Sequence, residues 1–96
     1  MSKITGIANS PGVINHAQLN VVSPPNFTAT HSMPGSPATA DITVPGPGQY
    51  IVSTFVNTAA GTNWDGEIKV NGASASKSGT RTSPGQDAWT TTITVP

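Results

Sequence analysis

Apolar and polar residues alternate in two stretches of the chain, and this spacing of two restricts the fold more than any other feature. Residues 38–44 (ATADITV) and 88–95 (AWTTTITV) each place every second side chain on one side of an extended backbone. Such alternation is typical of a strand with one buried face. No window shows the i, i+3, i+4 spacing of an amphipathic helix. The sequence therefore predicts an all-β chain of about six strands, folded as a small antiparallel β-sandwich.

A hairpin is predicted around Asn71-Gly72. This dipeptide supplies the two positive-φ residues that a two-residue type I′ turn requires. Counting outward from the turn pairs Val70 with Ala73, then residue 69 with 74, 68 with 75 and 67 with 76. This register would place Ile68, Val70, Ala73 and Ala75 on one face and only polar residues on the other.

The stretch from Tyr50 to Asn57 is apolar on both faces. Tyr50 and Val52 share one face, which we expect to meet the core, and Ile51 and Phe55 share the other. In a two-layer sandwich the second face would point to solvent, and two large apolar side chains there mark a contact surface. Ile51 and Phe55 are therefore predicted to lie in a subunit interface, covered by residues 1–37, by another subunit or by a capsid protein. The alternative is a strand twisted so that both of its faces are internal.

The chain is expected to divide near residue 37. Residues 1–37 hold five of the nine prolines and only short apolar patches, with one strand predicted at residues 17–22. Residues 1–37 are therefore interpreted as an irregular Pro/Gly-rich N-terminal arm with one short strand. Residues 38–96 are interpreted as the body of the β-sandwich.

Composition excludes several functions. Charged residues make up 8% of the chain, and four Lys/Arg balance four Asp/Glu, so no basic stripe for nucleic acid can form. No apolar run reaches the roughly 20 residues of a membrane-spanning helix. The chain contains no cysteine, and its N-terminus lacks the apolar segment of a signal peptide. These features favour folding in a reducing cytoplasm.

No set of titratable residues has a catalytic or metal-binding spacing, so we expect no enzyme activity, no metal and no cofactor. A binding site for glycan is conceivable at Asn63-Trp64-Asp65. A tryptophan ring can stack against a sugar, and the neighbouring amide and carboxylate could hydrogen-bond its hydroxyl groups. The same tryptophan could instead serve in packing.

Several turn motifs in residues 38–96 resemble those of known sandwich modules. They are ITVPGPGQYIV at 42–52, NTAAG at 57–61, VNG at 70–72 and SPG at 83–85 before the Thr-rich end. Together they resemble bacterial and phage immunoglobulin-like domains. They are also similar to the jelly roll of tumour-necrosis-factor-like folds, where a comparable motif leads a long inner strand. The resemblance implies an immunoglobulin-like sandwich, with the jelly roll as the alternative if the N-terminal part supplies further strands.

Two functions remain open. The first is a structural protein of a virion surface, such as a phage capsid decoration (cement) protein or a fibre-head domain. It would assemble in the host cytoplasm and bind other virion or capsid subunits, and it could form a homo-oligomer such as a trimer. The second is a small carbohydrate-binding module or lectin that uses Trp64. Neither function involves nucleic acid or a membrane.

Overall fold

The computed structural model describes all 96 residues, as eight strands and no helix. The predicted all-β sandwich is confirmed. The strands are β1 (Ser2–Asn9), β2 (Ile14–Ser23), β3 (Phe27–Ser32), β4 (Ala38–Val44), β5 (Gly48–Thr58), β6 (Thr62–Val70), β7 (Ala73–Ser83) and β8 (Gln86–Val95).

The strands form two antiparallel four-stranded sheets. Sheet A has the order β4-β1-β6-β7 and sheet B the order β3-β2-β5-β8. Inward-pointing residues of β1, β2, β4, β5, β6 and β8, together with Met33, form one core of 16 buried apolar residues. The largest of its fully buried side chains are Trp64, Ile4, Leu19, Ile42 and Ile68. The core therefore draws on both halves of the chain.

The division of the chain at residue 37 is wrong. Residues 1–37 are not an irregular arm but contribute β1, β2 and β3 to the sandwich. β1 lies between β4 and β6, and β2 lies between β3 and β5, so both are central strands. Gly6 obscured β1 in the sequence. A Cβ on Gly6 would lie 2.6 Å from Leu19 Cδ1, so the glycine lets the side chain of the facing sheet pack against backbone.

The hairpin at Asn71-Gly72 is confirmed, and its register is correct for two pairs. Asn71 and Gly72 have φ values of 51° and 85°, as a type I′ turn requires. Val70 pairs with Ala73 and Lys69 with Ser74. An irregularity then shifts the register, so that residue 68 pairs with 76 and residue 67 with 77. The shift lets Ser76 bond Thr91 of the other sheet, with 3.1 Å between the two hydroxyl oxygens.

The order of the strands is that of a jelly roll that begins at a different strand. If β7 and β8 are numbered as strands 1 and 2, and β1 to β6 as strands 3 to 8, sheet A has the order 1-8-3-6 and sheet B the order 2-7-4-5. These are the strand pairings of the eight-stranded jelly roll. The three N-terminal strands β1, β2 and β3 are needed to reach its eight strands. In a constant-type immunoglobulin domain the first strand pairs with the second, whereas β1 pairs with β4 and β6.

Candidate functional site

Trp64, which the sequence suggested as a platform for glycan, is part of the core. Its side chain is 1% exposed and points between the sheets from β6. Its ring lies beside Gly66 and close to Trp89, which is half-buried against the same core. Stacking against a sugar from solvent is therefore impossible for Trp64, and that prediction is wrong.

The neighbours of Trp64 do not join it in a site. Side chains alternate along a strand, so Asn63 and Asp65 point away from the core while Trp64 points into it. The amide oxygen of Asn63 accepts a hydrogen bond of 2.8 Å from Thr82 Oγ1. The three residues thus lie on two faces of sheet A, and the predicted cluster Asn63-Trp64-Asp65 does not exist as one surface.

The indole N–H of Trp64 is satisfied by an acidic group that the sequence analysis did not single out. Trp64 Nε1 donates to Asp87 Oδ2 at 3.0 Å. Arg81 Nε donates to the same oxygen at 3.0 Å, and its guanidinium group lies 5.9 Å from the centre of the Trp64 ring. The hydrogen bond from Arg81 lowers the pKa of Asp87 and is opposed by burial, while the hydrogen bond from Trp64 lowers it further. This arrangement ties β8 to sheet A and is structural.

Ile51 and Phe55 are exposed on the outer side of β5. Their exposed fractions are 41% and 44%, while Tyr50, Val52 and Val56 on the other side of the strand are buried. The predicted inner face of this strand is confirmed. The expectation that residues 1–37 cover Ile51 and Phe55 is wrong, because those residues form strands of the sandwich itself. Coverage by another subunit stays a prediction.

These two residues lie on a broad surface without charged side chains. We call it the uncharged face. It comprises the outward residues of three adjacent strands, namely His16, Gln18, Asn20 and Val22 of β2, Ile51, Ser53, Phe55 and Asn57 of β5, and Ala88, Thr90, Thr92 and Thr94 of β8. The pairings align Val22, Ile51 and Thr92 in one row and Gln18, Phe55 and Ala88 in another.

The polar groups between the two apolar residues bond one another. Ser53 and Thr90 share a hydrogen bond of 2.9 Å, and Asn20 Nδ2 donates to Thr30 Oγ1 of β3 at 2.7 Å. β5 pairs with β8 through ten successive residues without a bulge. The surface around Ile51 and Phe55 is therefore regular, and these central polar groups already have partners.

The charged residues of the chain lie almost entirely on the other sheet. Of the four Lys/Arg and four Asp/Glu, only Asp87 belongs to a strand of sheet B, and it points toward Trp64 between the sheets. The remaining seven lie on sheet A, namely Lys3, Asp41, Asp65, Glu67, Lys69, Lys77 and Arg81. Sheet A thus offers both signs of charge to solvent.

An open groove of about 350 Å³ lies at one end of the uncharged face. Phe55 forms part of its wall, with the polar side chains of His16, Gln18, Asn57 and Gln86 around it. Asp87 also lines the groove, but its carboxylate points between the sheets, where Arg81 and Trp64 donate hydrogen bonds to it. The groove combines one aromatic edge with uncharged hydrogen-bonding groups.

The titratable residues do not converge elsewhere. His31 Nδ1 lies 3.1 Å from the backbone oxygen of Asp41 and not from its carboxylate, which instead accepts a hydrogen bond from Thr5. No three His, Cys, Asp or Glu residues are grouped as metal ligands would be. The structure contains no helix long and apolar enough to span a membrane.

Comparisons with known proteins leave the uncharged face and its groove as the basis for any functional assignment. No protein-family model matches the chain, and no curated protein is significantly similar to it.

Proposed function

We propose that the protein is a structural, non-enzymatic subunit of a virion surface, such as a capsid decoration protein or a fibre-head domain, and that it attaches to other virion subunits through the uncharged face. The observation that carries the proposal is the exposure of Ile51 and Phe55, at 41% and 44%, on a surface without charged groups. Jelly-roll sandwiches are used in viral capsids, which agrees with this role but does not assign it.

The chemistry of the face indicates what kind of surface it binds. A charged partner would lose hydration there and find no opposite charge to compensate. An apolar or hydroxyl-rich partner surface would gain about 25 cal/mol for each Å² of apolar area removed from water. Phe55, in the row between Gln18 and Ala88, is an exposed aromatic residue of a type enriched at protein interfaces. The partner is therefore expected to present an uncharged patch of another capsid or fibre subunit.

Co-sedimentation of the purified chain with capsid particles of the virus that encodes it tests this proposal. Phe55→Ser should abolish co-sedimentation and change the free energy of unfolding by less than about 1 kcal/mol, because the residue makes no essential core contact. Val13→Ser is the matched control, since Val13 is also apolar, is 72% exposed and lies outside the uncharged face, in the connection between β1 and β2. It should bind as the wild type does.

Two results would overturn the proposal. The first is unchanged binding by Phe55→Ser. The second is a loss of about 3 kcal/mol or more in that variant, which would identify ordinary core packing at Phe55.

Carbohydrate binding is a second candidate, and it depends on the groove beside Phe55 rather than on Trp64. Neutral sugars are held by uncharged hydrogen-bonding groups beside an aromatic side chain, and His16, Gln18, Asn57 and Gln86 provide such groups around Phe55. A glycan array probed with the wild type and with Gln86→Ala distinguishes the two functions. Glycan binding that Gln86→Ala removes would favour the lectin, whereas capsid binding that this substitution leaves intact would favour the virion protein.

A further inference from the structure

We infer that the outer edge of β8 pairs with the same edge of a second copy of this chain, joining two sheets B into one continuous sheet across a two-fold axis. The inference concerns the backbone of β8 and is independent of what binds the uncharged face. A strand at the edge of a sheet leaves alternate N–H and C=O groups without partners, and proteins normally protect such edges. The sandwich has four edges, β3, β4, β7 and β8.

Three of the four edges carry recognisable protection. β3 has only six residues. β4 has seven residues and carries Asp41, which is 3.7 Å from Lys3 Nζ. β7 is long, but it contains Lys77 and Arg81 and pairs with β6 through two register irregularities. Short length, charge and bulges are the usual means of preventing edge-to-edge pairing.

β8 has none of these protections along most of its length. It spans ten residues, stays in register with β5 throughout, and contains neither proline nor glycine. Its single charged residue, Asp87, is held by Arg81 near the beginning of the strand. None of the seven backbone hydrogen bonds outside the regular strand pairings involves residues 86–95. The edge is therefore long, regular and unprotected.

A hydrogen bond from Arg81 to β8 shows which backbone groups of β8 point away from β5. Arg81 Nη2 donates to the carbonyl oxygen of Ala88 at 3.1 Å, so that carbonyl points away from β5. Backbone groups of alternate residues point the same way in an antiparallel ladder. Thr90, Thr92 and Thr94 therefore direct their N–H and C=O groups to the open edge, while those of the residues between them face β5.

The strand that fits the open edge of β8 is β8 of a second copy of the chain. Antiparallel pairing about a two-fold axis at Thr92 would place Thr92 opposite its equivalent and Thr90 of one copy opposite Thr94 of the other. Each such hydrogen-bonded pair exchanges two backbone bonds. Opposed threonines are favourable cross-strand neighbours, and no like charges would meet. The protected edges of this chain offer no comparable ladder, and a two-fold contact uses the same patch on both copies.

Amide hydrogen exchange read by NMR tests the inference directly. In dilute wild-type protein the amides of Thr90, Thr92 and Thr94 should exchange rapidly, and those of Thr91, Ile93 and Val95 slowly. At high protein concentration the first set should become protected as well. Sedimentation should show a concentration-dependent dimer under the same conditions.

Variants separate the edge from the face. Thr92→Pro removes one outward N–H, and Thr92→Lys adds a charge both at the edge and on the uncharged face, to which Thr92 belongs. Each should raise the dissociation constant of the dimer by about tenfold or more. Thr43→Lys on β4 is the matched control and should leave the dimer unchanged, as should Phe55→Ser, which acts only on the proposed capsid contact. If Thr92→Pro does not fold, Thr92→Lys and the exchange pattern decide.

Four results would overturn the inference. They are a wild-type protein that stays monomeric with rapid exchange at Thr90, Thr92 and Thr94 at high concentration, a dimer that persists in Thr92→Lys, a dimer that Phe55→Ser abolishes, and a trimer. A trimer has a three-fold axis, so it cannot form by pairing two copies of β8 across a two-fold axis.

Discussion

Replacing Asp87 with alanine should destabilise the fold at neutral pH, because this carboxylate is the acceptor for a buried donor. Trp64 is 1% exposed, and its Nε1 donates to Asp87 Oδ2 at 3.0 Å. Without an acceptor, a buried N–H costs about 1–3 kcal/mol. The ion pair with Arg81 adds at most about 1 kcal/mol, since the Arg81 side chain is 35% exposed and the solvent screens its charge.

The expected loss for Asp87→Ala is therefore about 1–4 kcal/mol in the free energy of unfolding. Asp87→Asn is the matched variant, because its amide oxygen can still accept from Trp64 while the charge is removed. It should lose at most about 1 kcal/mol, which is the contribution of the ion pair with Arg81. Urea unfolding followed by tryptophan fluorescence measures both variants, and circular dichroism checks that each is folded at the start.

The pH dependence of the free energy of unfolding provides an independent test of the role of Asp87. The pKa of Asp87 in the folded state is lowered from its ordinary value of 3.8. The stabilisation from the carboxylate is thus fully present above pH 3.8 and is lost as the pH falls through the lowered pKa of the folded state. The difference in stability between wild type and Asp87→Ala should narrow in acid. An Asp87→Ala variant within about 0.5 kcal/mol of the wild type at neutral pH would refute the reasoning.

Three further changes test the packing. Thr54→Val should raise the free energy of unfolding by about 1 kcal/mol, because Thr54 Oγ1 is buried without a partner; an unchanged or lower urea midpoint would contradict this. Gly66→Ala should cost about 1–3 kcal/mol, since the new Cβ would lie 2.7 Å from Trp89 Cε3, and a Tm equal to that of the wild type would show that the ring moves freely. Deleting residues 1–9 removes a central strand and should abolish the β signal in far-UV circular dichroism, whereas a folded remainder would mean that β1 is dispensable.

Strands with clear alternation could be predicted from the sequence, and the less regular ones could not. β4 has the expected bounds, β5 and β8 extend the expected ones by one or two residues at their ends, and the turn at Asn71-Gly72 has the expected backbone angles. β1 was missed because Gly6 interrupts its apolar positions, and the need for a glycine there comes from Leu19 on the opposite sheet. A contact between sheets leaves no local signal in the chain.

The candidate site could be predicted only in part, for the same reason. The exposed apolar side of β5 follows from counting residues, and Ile51 and Phe55 lie where the alternation places them. The burial of Trp64 could have been found from the alternation along β6, because residues 64, 66 and 68 lie two apart and share the buried face. The groove beside Phe55 could not, because it depends on which strands flank β5.

The concentration of charge on sheet A makes the two sides of the molecule respond differently to salt. Dissolved ions screen interactions between exposed charges, with a Debye length of about 8 Å at physiological ionic strength. They have little to screen on sheet B, where no charged side chain faces outward. Contacts made by sheet A should weaken as salt is added, while contacts made by sheet B should persist or strengthen in salts that favour apolar burial. A salt titration therefore reports which side of the sandwich a binding partner has met.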